Sequence, residues 1–237
     1  MALWASFPAN GVVDTAERVD GLELHFYKGI AVRAQRVVMF HFFLGIRVAS
    51  QLAAREAIFL IRGPYIEVLT GRRDTLAASK ERADEQLPKA DISVDELIKI
   101  FGQKNIISAH TLGVGHCRNF ENRLRPRADP AISPSHAFVL KTIYSGPSVS
   151  DIAFATNDAT ATSFDNRYFI DTLNGRGLLK IDSDISRDPR TLSHVVRFGI
   201  SLEQLFERFS YGFSKLSNYK ALVGDVGKIR RDSRFSN

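Results

Sequence analysis

Histidine is the residue type in this sequence with the widest range of possible chemistry. A neutral imidazole binds metal ions, and its pKa lets it act as an acid or a base near neutral pH. The six histidines are His25, His41, His110, His116, His136 and His194. The chain has one cysteine, Cys117, so a zinc site would need His or carboxylate ligands. His110 and His116 lack the i, i+4 spacing that puts two ligands on one helical face, so spacing alone assigns no metal ligand.

The sequence contains no other self-sufficient catalytic pattern. There is no Gly-x-Ser-x-Gly motif for a nucleophilic serine, and residues 113–115 (GVG) are too short for a dinucleotide-binding fingerprint. A single cysteine cannot form a disulfide within its own chain. The net charge of +6 is dispersed, without a basic stripe or a recognisable module, so we expect no nucleic-acid partner.

Signals for membranes and secretion are also weak. The densest apolar run, residues 37–44, is shorter than the ~20 residues that a spanning helix needs, so we expect no membrane insertion. Residues 1–8 lack a basic start followed by a long apolar stretch and do not form a convincing signal peptide.

Helices must position most of these side chains. Residues 93–96 (SVDE) form a capping box, and apolar residues follow at the i, i+3, i+4 and i+7 spacing of a half-buried helix. Residues 201–204 (SLEQ) repeat the box before a longer apolar stripe. Further helices are predicted over residues 110–124, 166–173 and 189–198. The best strand pattern, residues 66–69, is short, so the predicted fold class is mainly α.

One segment around His110 resembles a known family. Residues 108–113 (SAHTLG), with Cys117 following, are similar to the proximal haem-ligand segment of plant secretory (class III) haem peroxidases. Similar motifs precede it in family order at residues 53–57 (AAREA), 62–65 (RGPY), 71–74 (GRRD) and 87–88 (LP). Others follow it at residues 164–169 (FDNRYF), 176–179 (RGLL), 181–183 (IDS) and 229–234 (IRRDSR). The resemblance predicts a peroxidase-like domain over residues 48–237, preceded by a degenerate segment over residues 1–47.

The resemblance implies a mainly α, haem-peroxidase-like fold that lacks part of the distal helical half. It also implies a haem b cofactor, with His110 as the axial ligand of the iron and Asp182 as the hydrogen-bond partner of that ligand. A carboxylate that accepts the second ring N–H gives the imidazole imidazolate character, which favours higher iron oxidation states and O–O cleavage. The alternative for Asp182 is a surface acid at a turn.

A calcium ion and a donor entrance are implied in the same way. Calcium takes carboxylate, hydroxyl and carbonyl oxygens. The residues at the corresponding positions are Thr111, Asp158, Thr160 and Asp165. Asn157 stands where the family usually has an acid, so we expect weaker calcium binding. Pro88 would lie near the entrance for the donor substrate, or would simply end a loop before the next helix.

The resemblance fails on the distal side. The family has a segment Arg-x-x-Phe-His-Asp-Cys, whose His is the general base and whose Arg polarises peroxide. Either this segment is absent, or residues 40–41 (FH) are its remnant and His41 is the distal base. Val37 stands at the Arg position and residues 42–43 (FF) replace Asp-Cys, so we favour absence and identify no distal base.

The function implied is a haem-dependent peroxidase that reduces hydrogen peroxide and oxidises small phenolic donors. We expect an extracellular, monomeric protein whose activity is impaired by the missing distal segment. Two alternatives stay open: a catalytically inactive haem-binding pseudo-peroxidase, and a helical interaction module.

Overall fold

A computed structural model describes residues 41–76, 92–102, 112–143 and 153–229, with side chains from residue 50 onward. The α-helices in these ranges are His41–Leu60 (α1), Val94–Gly102 (α2), Pro134–Ile143 (α3), Arg167–Leu173 (α4), Lys180–Ile185 (α5), Pro189–Ile200 (α6) and Leu202–Asn218 (α7). Two short strands, Val114–His116 (β1) and Phe154–Thr156 (β2), pair antiparallel. The predicted mainly α class is confirmed. None of the helices in these ranges is both long and apolar enough to span a membrane.

The chain divides into two compact units. The first contains the described residues 92–102, 112–143 and 153–209, and the second contains 41–76 and 210–229. The predicted boundary between residues 47 and 48 is not tested by this division and stays a prediction.

Local capping sets where several helices of the first unit begin. The predicted capping box before α2 is confirmed: Ser93 Oγ accepts from Glu96 N at 3.2 Å, and Ser93 N donates to Glu96 Oε2 at 3.3 Å. These contacts satisfy two backbone donors that a helix start leaves free. Asp188 caps α6 by accepting from Arg190 N at 2.9 Å, ahead of a proline in the first turn.

The prediction of a helix over residues 110–124 is wrong for its described part. Residues 114–116 form β1, and the next turns are the short 3₁₀-helices Cys117–Asn119 and Glu121–Arg123. Gly113 has a φ of 85°, which ends any helical run because side-chain-bearing residues rarely adopt it. The apolar spacing there instead reflects burial of these turns in the core.

The predicted strand over residues 66–69 is also wrong. These residues are irregular, and they pair with no strand among the described residues. Ile66 is buried while Leu69 is 61% exposed, so the apolar pattern reflects the burial of Ile66 and not a strand with one buried face. A strand needs a partner for its backbone groups, and an apolar pattern alone does not supply one.

The core of the first unit surrounds the 3₁₀ turns and α3. Its buried members are Cys117, Phe120, Leu124, Ile132, Ala137, Leu140 and Leu178. A second set of contacts is aromatic: Phe164 packs edge-on against Phe209, with ring centres 4.6 Å apart, and Phe169 packs against Phe198 at 5.2 Å. These contacts hold α4 against α6, and the segment that precedes α4 against α7.

Within the second unit, the GRRD motif connects residues 71–74 to residues 217–228. Arg72 is buried and donates to the Ser217 carbonyl and to Asn218 Oδ1, both at 2.8 Å, at the C-terminal end of α7. A cation there complements the exposed carbonyls of the helix end. Asp74 exchanges two backbone hydrogen bonds with Lys228, at 2.8 and 2.9 Å. The motif therefore ties residues 71–74 to the last described part of the chain.

Candidate functional site

Asp182 lies in the first turn of α5 and is 1% exposed. Its Oδ1 accepts a hydrogen bond from the Tyr168 hydroxyl at 2.7 Å, and its Oδ2 accepts one from Leu179 N at 2.9 Å. A buried carboxylate needs such donors, because an unpaired charge is costly away from water. Asp182 is therefore not a surface acid, and its carboxylate is held in a fixed orientation.

Tyr168 was not predicted from the sequence as part of this site. It lies in α4, is 1% exposed, and packs its ring edge-on against Phe169 at 5.1 Å. A buried tyrosine hydroxyl usually has a hydrogen-bond partner. Only that rule could have pointed to a partner for Tyr168, which follows the polar residues 165–167 (DNR), and the rule does not identify which residue the hydroxyl reaches.

Arg123 fixes the backbone that leads into Asp182. Its Nη1 donates to the carbonyls of Gly177 and Leu178 at 2.8 and 2.7 Å, and its Nη2 donates to Ser183 Oγ at 2.7 Å. Its Nε donates to Asp129 Oδ2 at 2.9 Å. The side chain is 3% exposed, so these bonds act away from solvent. Sequence reasoning missed Arg123 because it is one of four arginines within residues 118–127, and nothing in the sequence indicates which of them is buried.

Two glycines bring this backbone close to its neighbours. A β-carbon on Gly177 would lie 3.1 Å from the β-carbon of Asp182, and one on Gly115 would lie 2.6 Å from Leu178 Cδ2. Gly115 belongs to β1, which follows His110 in the chain. The strand after the predicted iron ligand therefore packs directly on the segment before Asp182.

The pairing of β1 with β2 brings a second loop to the same region. Gly113 N donates to the Ala161 carbonyl at 2.9 Å, and Asn157 N donates to the Gly113 carbonyl at 3.0 Å. Asn157 Nδ2 donates to the Leu112 carbonyl at 2.7 Å. Leu112 is the first described residue after Thr111, so the chain leaving the predicted ligands is anchored to residues 157–161.

Three of the four predicted calcium ligands lie together in this loop. Thr160 Oγ1 lies 3.0 Å from Asp165 Oδ1 and 3.3 Å from Asp158 Oδ1. Asp158 Oδ1 also accepts from Thr160 N at 2.7 Å. Asp158 Oδ2 and Asn157 Oδ1 are buried and have no hydrogen-bond partner among the residues that the structure describes. Burial, together with the nearby Asp165 charge, raises the pKa of Asp158 to about 6.

This oxygen-rich loop fits a hard cation. Two carboxylates, a hydroxyl and an amide oxygen are the donor types that calcium prefers, and a cation would offset the repulsion between Asp158 and Asp165. The described ranges contain no group of three or more His, Cys, Asp or Glu side chains that could hold a metal, and this loop supplies only two carboxylates, Asp158 and Asp165. Asp182, which is buried and accepts two hydrogen bonds, likewise fits a group that supports an iron-bound imidazole.

The remaining predicted site residues cannot be placed in the same way. His110, Thr111 and Pro88 lie outside the described residues. His41 is described only as the first backbone position of α1. Their assigned roles stay predictions.

Comparison with known proteins identifies similar chains. A family model described as "Peroxidase" matches residues 48–201. Peroxidase 29 of Arabidopsis thaliana is 37% identical over 194 residues, which cover 76% of this chain and 57% of that protein. Peroxidase 21 of the same plant is 33% identical over 198 residues, covering 78% and 61%. Cationic peroxidase SPC4 of Sorghum bicolor is 30% identical over 195 residues, covering 78% and 54%.

The chain thus spans less than two thirds of the length of these curated relatives. The family match covers the Asp182 segment, the residue 157–165 loop and the predicted ligand His110. The identities extend over three quarters of this chain. As the resemblance to plant class III haem peroxidases predicted, the chain belongs to the peroxidase family.

Proposed function

We propose that this chain acts as a haem-dependent peroxidase, with His110 as the axial ligand and Asp182 as the acceptor of its second ring N–H. The observation that carries the proposal is the burial of Asp182 in a backbone segment that packs against β1, the strand following His110. A carboxylate at 1% exposure, fixed by a hydroxyl and a backbone N–H, is suited to orient an imidazole rather than to sit in solvent.

Three residues of the chain would bind the haem iron and orient its ligand. His110 holds the iron through one ring nitrogen, and Asp182 keeps the other nitrogen protonated and hydrogen-bonded. Arg123 holds the Gly177 and Leu178 carbonyls, which keeps Asp182 from moving with its loop. Haem, when bound, supplies the redox-active iron at which hydrogen peroxide is reduced.

We propose calcium as a second cofactor, bound by Thr111, Asp158, Thr160 and Asp165. Support comes from the clustering of Thr160 with both carboxylates and from the unpartnered buried Asp158 Oδ2. Asn157, whose amide nitrogen already binds the Leu112 carbonyl, offers only a neutral oxygen. Affinity should be lower than for a site with a third carboxylate, because fewer negative charges face the ion.

Small phenols are the proposed electron donors, with Pro88 near their entrance, and by resemblance the protein would be extracellular and monomeric. We also propose slow turnover, because the sequence contains no Arg-x-x-Phe-His-Asp-Cys segment. A distal base and a cationic group at the forming oxyanion each contribute large rate factors. The peroxidase relatives do not favour the interaction-module alternative.

The test is titration of the purified chain with haemin, followed by the Soret band. The expected result is a band that is lost in His110→Ala and kept in the control His116→Ala, since His116 is exposed. Peroxide-dependent guaiacol oxidation should exceed that of free haemin. An unchanged band in His110→Ala would overturn the ligand assignment. A normal band with activity no higher than that of free haemin would leave only the pseudo-peroxidase.

A further inference from the structure

We propose that Tyr168 is a tuning residue, whose hydroxyl weakens Asp182 as a hydrogen-bond acceptor and so limits the imidazolate character of His110. This inference rests on the proposed function, since it needs His110 as the iron ligand and Asp182 as its partner. It assigns to Tyr168 a role that acts through Asp182 and involves no direct contact with haem.

The contact that carries the inference is short and fully buried. The Tyr168 hydroxyl donates to Asp182 Oδ1 at 2.7 Å, and both residues are 1% exposed. A hydrogen bond from a hydroxyl to a carboxylate is among the stronger kinds, and it is stronger still away from water. The hydroxyl therefore draws negative charge from the carboxylate rather than merely touching it.

The position of the hydroxyl is set by rigid packing. Asp165 Oδ1 accepts from Arg167 N at 2.8 Å at the start of α4, and Asn166 Nδ2 donates to the Gly199 carbonyl at 2.9 Å. The ring of Phe169, which follows Tyr168, packs against Phe198 of α6. With α4 fixed at these points, the Tyr168 ring cannot withdraw its hydroxyl without loss of core contacts.

The consequence follows from competition for one carboxylate. Each hydrogen bond that the Asp182 carboxylate accepts lowers its strength as an acceptor for a further donor. The Tyr168 hydroxyl on Oδ1 therefore weakens the hydrogen bond from the second ring N–H of His110 to Asp182. Partners of this kind are known to tune metal ligands. Removal of the hydroxyl should strengthen that hydrogen bond, whereas removal of the carboxylate charge should weaken it.

The opposite signs separate tuning from a structural role. Tyr168→Phe keeps the ring and deletes one oxygen, and Asp182→Asn keeps the shape and deletes the charge. A loosened fold would instead change the properties of the iron–imidazole bond in the same direction in both variants. The matched control is Tyr211→Phe, since the Tyr211 hydroxyl accepts from Lys215 at 3.4 Å instead of contacting Asp182.

The experiment measures the iron–imidazole stretching frequency of the ferrous holoprotein by resonance Raman spectroscopy, and the Fe(III)/Fe(II) midpoint potential by spectroelectrochemistry. Tyr168→Phe should raise the frequency and make the potential more negative, Asp182→Asn should do the reverse, and Tyr211→Phe should match wild type. The double variant should match Asp182→Asn alone, because the hydroxyl acts through the carboxylate. Urea unfolding of each variant reports whether the fold is retained.

The outcomes separate the two levels of the proposal. A wild-type chain without a Soret band would overturn the proposed function and this inference together. A normal Soret band, with Tyr168→Phe unchanged in both readouts or shifted in the same direction as Asp182→Asn, would overturn the inference and leave the proposed function standing. If Tyr168→Phe unfolds, Tyr168 substituted by 3-fluorotyrosine, a stronger hydrogen-bond donor, should lower the frequency, and a rise would overturn the inference.

Discussion

Gly115 and Leu178 approach so closely that a β-carbon on residue 115 would lie 2.6 Å from Leu178 Cδ2. The contact joins β1, which follows His110, to the backbone that leads into Asp182. Leu178 is 1% exposed and belongs to the core around Phe120 and Leu140, so its methyl group has no free space to occupy. A methyl group added at Gly115 would therefore push β1, which follows His110, away from the backbone that leads into Asp182.

We predict that Gly115→Ala destabilises the fold by about 1–3 kcal/mol, because overpacking a buried contact displaces well-packed side chains. Urea unfolding followed by circular dichroism measures the loss. The control is Gly199→Ala in α6, where a β-carbon would lie 3.5 Å from Leu173 Cδ1, an ordinary contact distance. Alanine favours a helix over glycine, so this variant should be at least as stable as wild type. Equal stability of both variants would contradict the prediction.

Arg123→Gln should cost about 3–5 kcal/mol, the range for removing one partner of a buried charged network. The variant leaves the Gly177 and Leu178 carbonyls and Asp129 without their guanidinium donor. Haem retention should fall as well, because the segment before Asp182 is released. The measurements are the midpoint of urea unfolding and the Soret absorbance per chain after gel filtration.

The control for Arg123→Gln is Arg190→Gln. Arg190 makes ion pairs with Asp95 and Asp188 at 2.7 and 2.6 Å, but its side chain is 53% exposed. Exposed pairs contribute little to stability, so the unfolding midpoint should barely change. If Arg190→Gln were as disruptive as Arg123→Gln, burial of the Arg123 network would not explain its importance.

Local sequence signals were sufficient where a few neighbouring residues decide the structure. The capping box at Ser93 and Glu96 placed the start of α2, and the proline after Asp188 placed the start of α6. The apolar stripe after Ser201 likewise predicted α7. In each case the hydrogen bonds and the periodicity lie within the same few turns, so no tertiary contact is needed to infer them.

The sequence was insufficient where partners are distant in the chain. Residues 112–124 have helical apolar spacing, but the pairing of β1 with a strand some forty residues later decides their backbone. The Tyr168 contact with Asp182 spans 14 residues, and the Arg123 contact with Ser183 spans 60. Composition and periodicity carry no information on which polar atoms meet across such separations. The resemblance to a family supplied Asp182, but not the side chains that hold it.

The predicted calcium loop should make stability depend on both calcium and pH. Asp158 has a folded-state pKa of about 6, above its usual 3.8, so without calcium the native state holds a proton that the unfolded state has released. Stability should therefore fall as pH rises from about 4 to about 6. Above that range Asp158 is charged, and calcium should restore stability, by about 2.7 kcal/mol at a hundred times its Kd.

Thermal unfolding with added calcium or with EGTA, at pH 5 and pH 7, measures this dependence. The difference between the two additions should be smaller at pH 5, where protonated Asp158 competes with the ion. Asp158→Asn should remove most of the difference at pH 7. The control Asp225→Asn changes an exposed carboxylate, 4.0 Å from Arg73, and should respond to calcium like wild type. A calcium response that survives in Asp158→Asn would contradict the assignment of that ligand.

Cys117 should be unreactive in the native protein. Its side chain is 2% exposed within the core, and burial, with the nearby Glu121 charge, raises the pKa of its thiol. Both effects suppress the thiolate that attacks disulfide reagents. We expect the reaction with DTNB at pH 8 to be slower than that of the unfolded chain by on the order of 100-fold or more, since it requires local opening.

In guanidinium chloride one equivalent should react at once, and Cys117→Ala should give no signal in either state. Rapid reaction under native conditions would show that the 3₁₀ turns around Cys117 open far more readily than their burial implies.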